Sequence, residues 1–194
     1  SQFEKSRSDA NAAAEYERIS AEGKQALNDF SKPIIAKIQG FCLGGGLVVA
    51  MAADFRICSD DSQLGVPAAR LSIAYSYDAI RRLCSLVGPS YAKDILITAR
   101  RIQADEALRI GLVNRVVTAA DLDMAVAEYT DAIEENAPLS MHASKLTVTE
   151  ILKDSKDRDM AAIDEIGRIC FDSNDFKEGR TAFMEKRKPV FTGT

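Results

Sequence analysis

The sequence predicts an α/β protein, in which strands joined by helices form a core and further helices follow. Three observations lead to this fold class. A β-branched stretch, a glycine-rich helix start and a second strand pattern follow one another in "IIAKIQGFCLGGGLVVAMAADFRICS", which is the order of a β-α-β crossover. Beyond residue 117 the patterns are helical. With 46% hydrophobic and 28% charged residues, the 194-residue chain can bury a core of domain size.

The first part of the chain contains five predicted elements. An alanine-rich helical pattern comes first, and Pro33 follows its end because proline cannot continue a helix. "IIAKIQ" is short, β-branched and alternating, and therefore predicts a strand. The elements are, in order, a helix from about Asp9 to Phe30, a strand at Ile34–Gln39, a helix at Leu47–Ala53, a strand in "DFRICS" and an extended segment in "SQLGVP".

The second part is predicted to be mainly helical. Ser76 is placed to cap a helix through "YDAIRRLCSLV", which ends at Gly88 and Pro89. "SYAKDILIT" and "QADEALRIG" predict further helices, and "LVNRVV" predicts a strand. Four more helical patterns follow, at Asp121–Asn136, Leu139–Lys153, Arg158 to about Phe171, and Phe176–Arg187. We therefore expect a partial α/β core at residues 1–117 and a helical region at residues 118–194.

Composition and charge argue against several classes of function. The net charge of −4 and the pI of about 5.2 argue against nucleic acid as the main partner. The longest apolar stretch, Leu47–Ala53, is too short to cross a bilayer, and no leader pattern is present, so we expect a cytoplasmic protein. The four cysteines have no CxxC spacing and are interpreted as reduced, buried thiols. A single histidine, His142, argues against a histidine-rich metal site and a Ser-His-Asp triad.

The glycine triplet Gly44–Gly46 opens a predicted helix, although glycine costs about 1 kcal/mol relative to alanine there. No Gly-Lys-Ser/Thr follows it, which argues against a P-loop, and Val49 stands where a dinucleotide-binding pattern needs its third glycine. Two interpretations remain open. Either the helix N–H groups form an oxyanion hole for a carbonyl oxygen that gains charge, or the glycines allow close packing of strand against helix.

Two long segments carry a resemblance to a known family. "KPIIAKIQGFCLGGGLVVAMAADFRICSDDSQLGVP" and "LVGPSYAKDILITARRIQADEALRIGLVNRVV", with "DFKEGRTAFMEKRKPVF" near the end, closely resemble the crotonase (enoyl-CoA hydratase/isomerase) superfamily. The resemblance implies a crotonase-like spiral of β-α-β turns, a C-terminal helical trimerisation region, and a homotrimer or hexamer. It implies acyl-CoA substrates, with coenzyme A as part of the substrate and neither a further cofactor nor a metal. It also implies that the family's N-terminal strands are absent from this chain, and with them one oxyanion donor that precedes Ser1.

The resemblance assigns roles residue by residue. By position, Gly45 matches the glycine whose N–H is the second oxyanion donor, and an enolate formed at a thioester is the charge that such donors stabilise. The positions that match coenzyme A contacts are Phe41, Leu43, Gly44, Phe183 and Lys186, the last two often contributed by a neighbouring subunit.

The sequence departs from the hydratase pattern at both proton-transfer positions. The hydratases of this family use two glutamates as general acid and base, and here Val48 and Ala68 occupy those positions. Aliphatic side chains cannot transfer protons. The sequence therefore argues against hydration by the two-glutamate route.

Three functions remain open for such a site. Tyr75 matches a tyrosine of the methylmalonyl-CoA decarboxylase branch, and loss of CO2 itself generates the enolate without a base, so decarboxylation of a malonyl-type acyl-CoA ranks first. Isomerisation or an unconventional hydration with Tyr75, Tyr77 or Asp78 ranks second. A catalytically silent acyl-CoA-binding protein is the third. Arg81 and Arg82 are interpreted as surface or interface residues.

Overall fold

The strands form two small sheets, and successive strands alternate between them in the first half of the protein. The computed structural model describes residues 10–194. Its strands are β1 (Ile35–Ile38), β2 (Phe41–Leu43), β3 (Phe55–Ser59), β4 (Gln63–Gly65), β5 (Ile102–Gln103) and β6 (Arg115–Val117). One sheet has the order β1-β3-β6 and the other has the order β2-β4-β5.

The predicted β-α-β crossover is confirmed, because the strands before and after α2 lie parallel to each other. β1 lies parallel to β3, with Ile35 opposite Phe55, and β2 lies parallel to β4. The pair β1 and β2, and then the pair β3 and β4, each add one strand to each sheet. This is the spiral arrangement that the resemblance implies. The strand β2 is an addition to the sequence-based prediction. Three residues are too few for a periodic pattern, and the ladder with β4 is what makes them a strand.

The helices surround and follow these strands. They are α1 (Ala10–Asp29), α2 (Gly45–Ala50), α3 (Tyr77–Thr98), α4 (Ala104–Arg109), α5 (Leu122–Glu134), α6 (Pro138–Ile151), α7 (Met160–Asp172) and α8 (Asn174–Glu185). Short 3₁₀ turns lie at Pro67–Leu71, Ala119–Asp121 and Ser155–Asp157. Within residues 10–194, no helix is both long and apolar enough to span a membrane.

Most helices differ from their predicted bounds by one or two residues, and two features of the helical prediction differ more clearly. The prediction of Leu47–Ala53 for α2 was wrong at both ends. Gly45 and Gly46 form the first turn of the helix, and the chain turns towards β3 after Ala50. The two helices predicted on either side of Gly88 are present, but no loop separates them. Gly88, with φ of 73° and ψ of 165°, interrupts α3 by a single residue, and Pro89 follows directly.

The chain divides into two compact units, Ser1–Phe30 and Ser31–Thr194. In the first unit, α1 forms close to its predicted bounds, and Arg18 bonds Glu15 and Glu22 along its surface. The second unit contains all six strands and the remaining helices. The predicted boundary between residues 117 and 118 stays a prediction.

One apolar core holds the second unit together. Its buried members come from both sheets and from α2, α3 and α4, and Leu47, Leu64, Leu83 and Ile95 are almost completely buried. Burying a leucine or isoleucine side chain contributes roughly 1.5–3 kcal/mol. A smaller cluster joins Ile57 of β3 to α5. Because Leu47 belongs to the core, α2 is packed into the protein just beyond its glycines.

The four cysteines are free thiols. Cys42 and Cys58 are buried as expected, whereas Cys84 and Cys170 are only half-buried. Burial raises the pKa of the Cys42 thiol, and burial with nearby acidic groups raises that of Cys58 to about 11. Both thiols are therefore protonated at neutral pH and are poor nucleophiles.

The last residues fold back onto α8. Asp175 is 3% exposed and accepts hydrogen bonds from the N–H groups of Thr192 and Gly193 at 2.7 and 2.9 Å. The ring of Phe191 packs over Gly179, 3.5 Å from where a Cβ atom would stand. A buried carboxylate is tolerated here because backbone donors satisfy it.

Acidification is expected to loosen this C-terminal segment at Val190. The Arg187 guanidinium, at 2.6 and 2.9 Å, and the Val190 N–H, at 2.9 Å, lower the pKa of the Glu178 carboxyl to about 2. Because the folded pKa lies below the unfolded value of 4.5, the stabilisation is present above that value and is lost as the pH falls towards 2. Hydrogen exchange at the Val190 amide should accelerate, relative to its intrinsic rate, over that range.

The variant Glu178→Gln should accelerate the same exchange at neutral pH by about tenfold, since a charge-assisted hydrogen bond is lost. Glu185→Gln is the control, because Glu185 also binds Arg187, at 2.7 Å, but receives no bond from Val190. Equal exchange in the two variants would contradict the role given to Glu178.

Candidate active site

The first glycine of the triplet is required by the backbone itself. Gly44 has φ of 57° and ψ of −120°, a conformation that residues with a Cβ atom rarely adopt. Its N–H donates to the Gly65 carbonyl at 2.9 Å, which ties the turn to β4. A Cβ atom on Gly44 would also stand 3.3 Å from the Tyr75 hydroxyl. At this position, conformation and close approach both select glycine.

The next two glycines are not required by packing within the described chain. Gly45 and Gly46 begin α2, both are exposed, and a Cβ atom on either would meet no atom of the described residues within 4 Å. Among residues 10–194, no backbone or side-chain acceptor bonds the Gly45 N–H. A helix leaves its first N–H groups without intrahelical partners. Close approach therefore accounts for Gly44 alone, and the oxyanion interpretation stays a prediction for Gly45.

The three predicted acid-base candidates lie in different surroundings. Tyr75 is half-buried, packs against the core cluster, and has its hydroxyl beside Gly44. Tyr77 is 71% exposed. The Asp78 side chain is 84% exposed and lies 3.8 Å from Arg81. The structure thus brings Tyr75 to the glycine turn and leaves Tyr77 and Asp78 at the surface.

The helix that follows these residues begins as predicted. Ser76 has extended backbone and its hydroxyl accepts the Ala79 N–H at 3.4 Å, which makes it the N-cap of α3. The cap fixes the point at which the chain enters the helix, and it separates Tyr75, outside the helix, from Tyr77 and Asp78 in its first turn.

Aliphatic side chains occupy both positions where the hydratase pattern has glutamates. Val48 of α2 is half-buried against the core, and Ala68, in the 3₁₀ turn after β4, is 8% exposed. Neither side chain can donate or accept a proton. Among residues 10–194, no group of three or more histidine, cysteine or acidic side chains is arranged to hold a metal ion.

The predicted coenzyme A contacts fall on two elements. On β2, Phe41 is 68% exposed with the Arg101 guanidinium 5.0 Å from its ring centre, and Leu43 is half-buried. At the end of α8, Phe183 is 82% exposed, and Lys186 is exposed in the left-handed conformation that ends the helix.

An apolar cleft of about 520 Å³ lies among the C-terminal helices. Phe183 lines it together with Phe171 and Phe176, and all lining residues come from the region 137–191. Of the predicted coenzyme A contacts, the cleft therefore involves Phe183 but neither Lys186 nor the residues of β2.

Sequence reasoning missed two arginines. Arg101 stacks on Phe41 and donates to Gln63 at 3.0 Å. Arg82 was interpreted as a surface or interface residue, but it is half-buried and donates to the Met51 carbonyl at 3.1 Å. Charge alone does not distinguish an arginine that binds a distant carbonyl from one in solvent, so the sequence offered no signal for either.

Comparison with known proteins places this arrangement in a family. The family model for enoyl-CoA hydratase/isomerase matches residues 2–194. The chain is 39% identical to a crotonyl-CoA hydratase from Syntrophomonas wolfei, over 94% of this chain and 70% of that protein. It is 41% identical to a short-chain-enoyl-CoA hydratase from Clostridium acetobutylicum, over 84% of this chain and 62% of that one.

Solved structures agree with the sequence comparison. An enoyl-CoA hydratase/carnithine racemase from Magnetospirillum magneticum superposes with a TM-score of 0.89 at 34% identity, over 100% of this chain and 72% of that one. An enoyl-CoA hydratase from Bacillus anthracis gives a TM-score of 0.82 at 27% identity, over 96% of this chain and 72% of that one. From the match along nearly its whole length, and from the shared spiral of strands, the chain belongs to the enoyl-CoA hydratase/isomerase family.

Proposed function

We propose that this protein binds an acyl-CoA thioester and stabilises the enolate of its acyl group through the Gly45 N–H. One observation carries the proposal. Gly45 is an exposed residue that begins a helix, and its N–H has no acceptor among residues 10–194. A donor that is held in place before the reaction stabilises an oxygen that becomes negative, because no reorganisation is needed when the charge forms.

Decarboxylation of a malonyl-type acyl-CoA is the reaction that this site supports best. The bond between the α-carbon and the carboxylate breaks, CO2 leaves, and the electron pair moves into the enolate whose oxygen accepts the Gly45 N–H. No base is needed for this step, which fits the aliphatic Val48 and Ala68. A carboxylate at either position would repel the carboxylate of the substrate.

A proton must then reach the α-carbon to complete the reaction. Tyr75 is the candidate, because its hydroxyl lies beside Gly44 and its ring is packed in place. The same hydroxyl can donate a hydrogen bond to the substrate carboxylate before CO2 leaves. The exposure of Tyr77 and Asp78 gives them lower rank.

A second candidate is hydration or isomerisation of an enoyl-CoA. The observation in its favour is the similarity to proteins named crotonyl-CoA hydratase and short-chain-enoyl-CoA hydratase. This route needs a group that moves a proton, and the choices are Tyr75 or Asp78, whose carboxylate lies at the first turn of α3. A catalytically silent acyl-CoA-binding protein would share the fold and the exposed amide.

Coenzyme A binding and assembly complete the proposal. Phe41, Leu43 and Gly44 contact the bound thioester, and Phe183 and Lys186 contact coenzyme A from a neighbouring subunit. Exposed apolar side chains on α8, with Met184 79% exposed beside Phe183, favour a homotrimer or hexamer that covers them. The four free thiols fit a reducing compartment such as the cytoplasm.

Methylmalonyl-CoA and crotonyl-CoA distinguish the candidate reactions. We expect methylmalonyl-CoA to lose CO2 and crotonyl-CoA to remain unchanged, each followed by mass spectrometry of the thioester. Addition of water to crotonyl-CoA that Asp78→Asn abolishes would instead establish the second candidate. Isomerisation leaves the mass unchanged, so the position of the double bond is followed by NMR as well. Binding of both thioesters with neither a change in mass nor movement of the double bond would support the catalytically silent protein.

Replacing the Tyr75 hydroxyl should slow decarboxylation. Tyr75→Phe is expected to lower kcat by about a hundredfold, the usual contribution of a positioned proton donor. The matched control is Tyr91→Phe, because Tyr91 packs against the same core but its hydroxyl binds Arg109, at 3.1 Å. Equal rates for the two variants would remove Tyr75 from the mechanism.

Removing the Gly45 N–H should abolish turnover without unfolding the protein. Gly45 is the first residue of α2, a position that proline tolerates well, so Gly45→Pro deletes the donor at little cost in stability. Turnover should fall by about a hundredfold or more, while calorimetry should still detect coenzyme A binding. The control Gly45→Ala keeps the N–H and should retain more turnover. Unchanged turnover in Gly45→Pro would refute the oxyanion assignment.

A further inference from the structure

The turn that follows α2 is held at two carbonyl oxygens by arginines from other elements. Arg82 of α3 donates from Nη1 to the Met51 carbonyl at 3.1 Å. Arg56 of β3 donates from Nη1 to the Ala53 carbonyl at 2.8 Å. The turn is thereby bonded to the helix that begins near Tyr75 and to the central strand of one sheet.

The two arginines differ in burial. Arg56 is 4% exposed and donates from Nε to the Leu112 carbonyl at 2.9 Å, while Arg82 is half-buried. Burial lowers the pKa of each guanidinium. The charge of Arg82 lowers the pKa of Arg56 further, and the charge of Arg81 lowers that of Arg82. Cations are unfavourable in such a place unless hydrogen bonds compensate. The hydrogen bonds to the carbonyls of this turn therefore compensate for the burial of the two charges.

The helix α2 depends on these contacts because it is weak by itself. It has six residues, the first two are glycines, and short helices form only with tertiary support. No atom of the described chain would touch a Cβ atom at Gly45 or Gly46, so the N-terminal end receives no side-chain packing of its own. The Gly44 N–H bond to the Gly65 carbonyl, at 2.9 Å, holds the start of the helix, and the buried Leu47 and the turn after Ala50 hold the rest of it. With a rise of 1.5 Å per residue, Gly45 is about 9 Å from Met51.

We propose that Arg82 and Arg56 are positioning residues that hold α2 by its C-terminal turn, so that the Gly45 N–H stays where a thioester oxygen can accept it. The inference rests on the proposed function, since it takes the Gly45 N–H to be an oxyanion donor and gives these arginines the role of holding it in position. Arg82 has a second consequence, because it belongs to the helix whose N-cap follows Tyr75. Arg82 thereby links the turn after α2 to the helix that follows Tyr75.

The test measures how strongly the bound thioester carbonyl is polarised. Acetyl-CoA labelled with carbon-13 at that carbonyl is bound to the protein, and its stretching band is recorded by infrared difference spectroscopy. In the unchanged protein the band should move to lower frequency, because the Gly45 N–H weakens the C=O bond. In Arg82→Met the movement should fall by roughly half or more, with acetyl-CoA affinity changed less than about fivefold.

The matched control is Arg158→Met. Arg158 donates to the carbonyls of Ile151 and Lys153, both at 3.2 Å, which is the same kind of contact after a different helix. This variant should keep the full movement of the band. Arg82→Lys should restore part of it, because an ammonium group also donates to the Met51 carbonyl. If circular dichroism shows Arg82→Met to be unfolded, Arg82→Gln is measured in its place. Its side chain is shorter than that of arginine, so the same loss of movement is expected.

The outcomes separate the two proposals. A band that does not move in the unchanged protein overturns the oxyanion role of Gly45 and, with it, the positioning role. A band that moves equally in the unchanged protein and in Arg82→Met overturns only the positioning role. An equal loss in Arg82→Met and Arg158→Met also overturns it, because the effect would then be a general loosening of the fold.

Discussion

The structure depends on one backbone constraint, the positive φ of Gly44. The chain must leave β2 and start α2 within a single residue, and φ of 57° with ψ of −120° achieves this. The Gly44 N–H bonds Gly65 and so uses the same turn to join β2 to β4. β2 therefore remains in its ladder with β4 while α2 begins at an exposed glycine whose N–H has no acceptor among residues 10–194. The oxyanion role proposed for Gly45 depends on this turn.

Polar contacts keep that arrangement in register with the rest of the second unit. The Asp54 carboxylate accepts the Ile34 N–H at 2.7 Å and the Lys145 ammonium at 2.8 Å, which joins α6 to the turn before β3 and to the chain entering β1. Lys145 also donates to the Lys32 carbonyl at 2.8 Å. Together with Arg56 and Arg82, these contacts surround the turn Met51–Asp54, so a short helix with little intrinsic stability acquires a fixed position.

Family membership and chemistry are separable in this protein. The fold is shared with solved structures named as enoyl-CoA hydratases, whereas Val48 and Ala68 stand at the positions where the family resemblance places the glutamates of hydration. An enolate-stabilising donor is useful in any reaction that develops negative charge on a thioester oxygen. Function is therefore decided by the side chains around the donor, and the half-buried Tyr75 is the side chain that the structure brings closest to the glycine turn among the three candidates proposed from the sequence.

Much of this could be predicted from the sequence, because the signals are local. The β-branched strands around the glycines, the Ser76 cap and the Gly88–Pro89 interruption each follow from the residues involved, and the replacement of both glutamates is visible directly. Only the tertiary structure decided that β2 is a strand, that Tyr75 and not Tyr77 lies beside Gly44, and that Arg82 reaches Met51. Each of these depends on partners distant in the chain, and neither a side chain's identity nor its periodicity specifies which distant partner it meets.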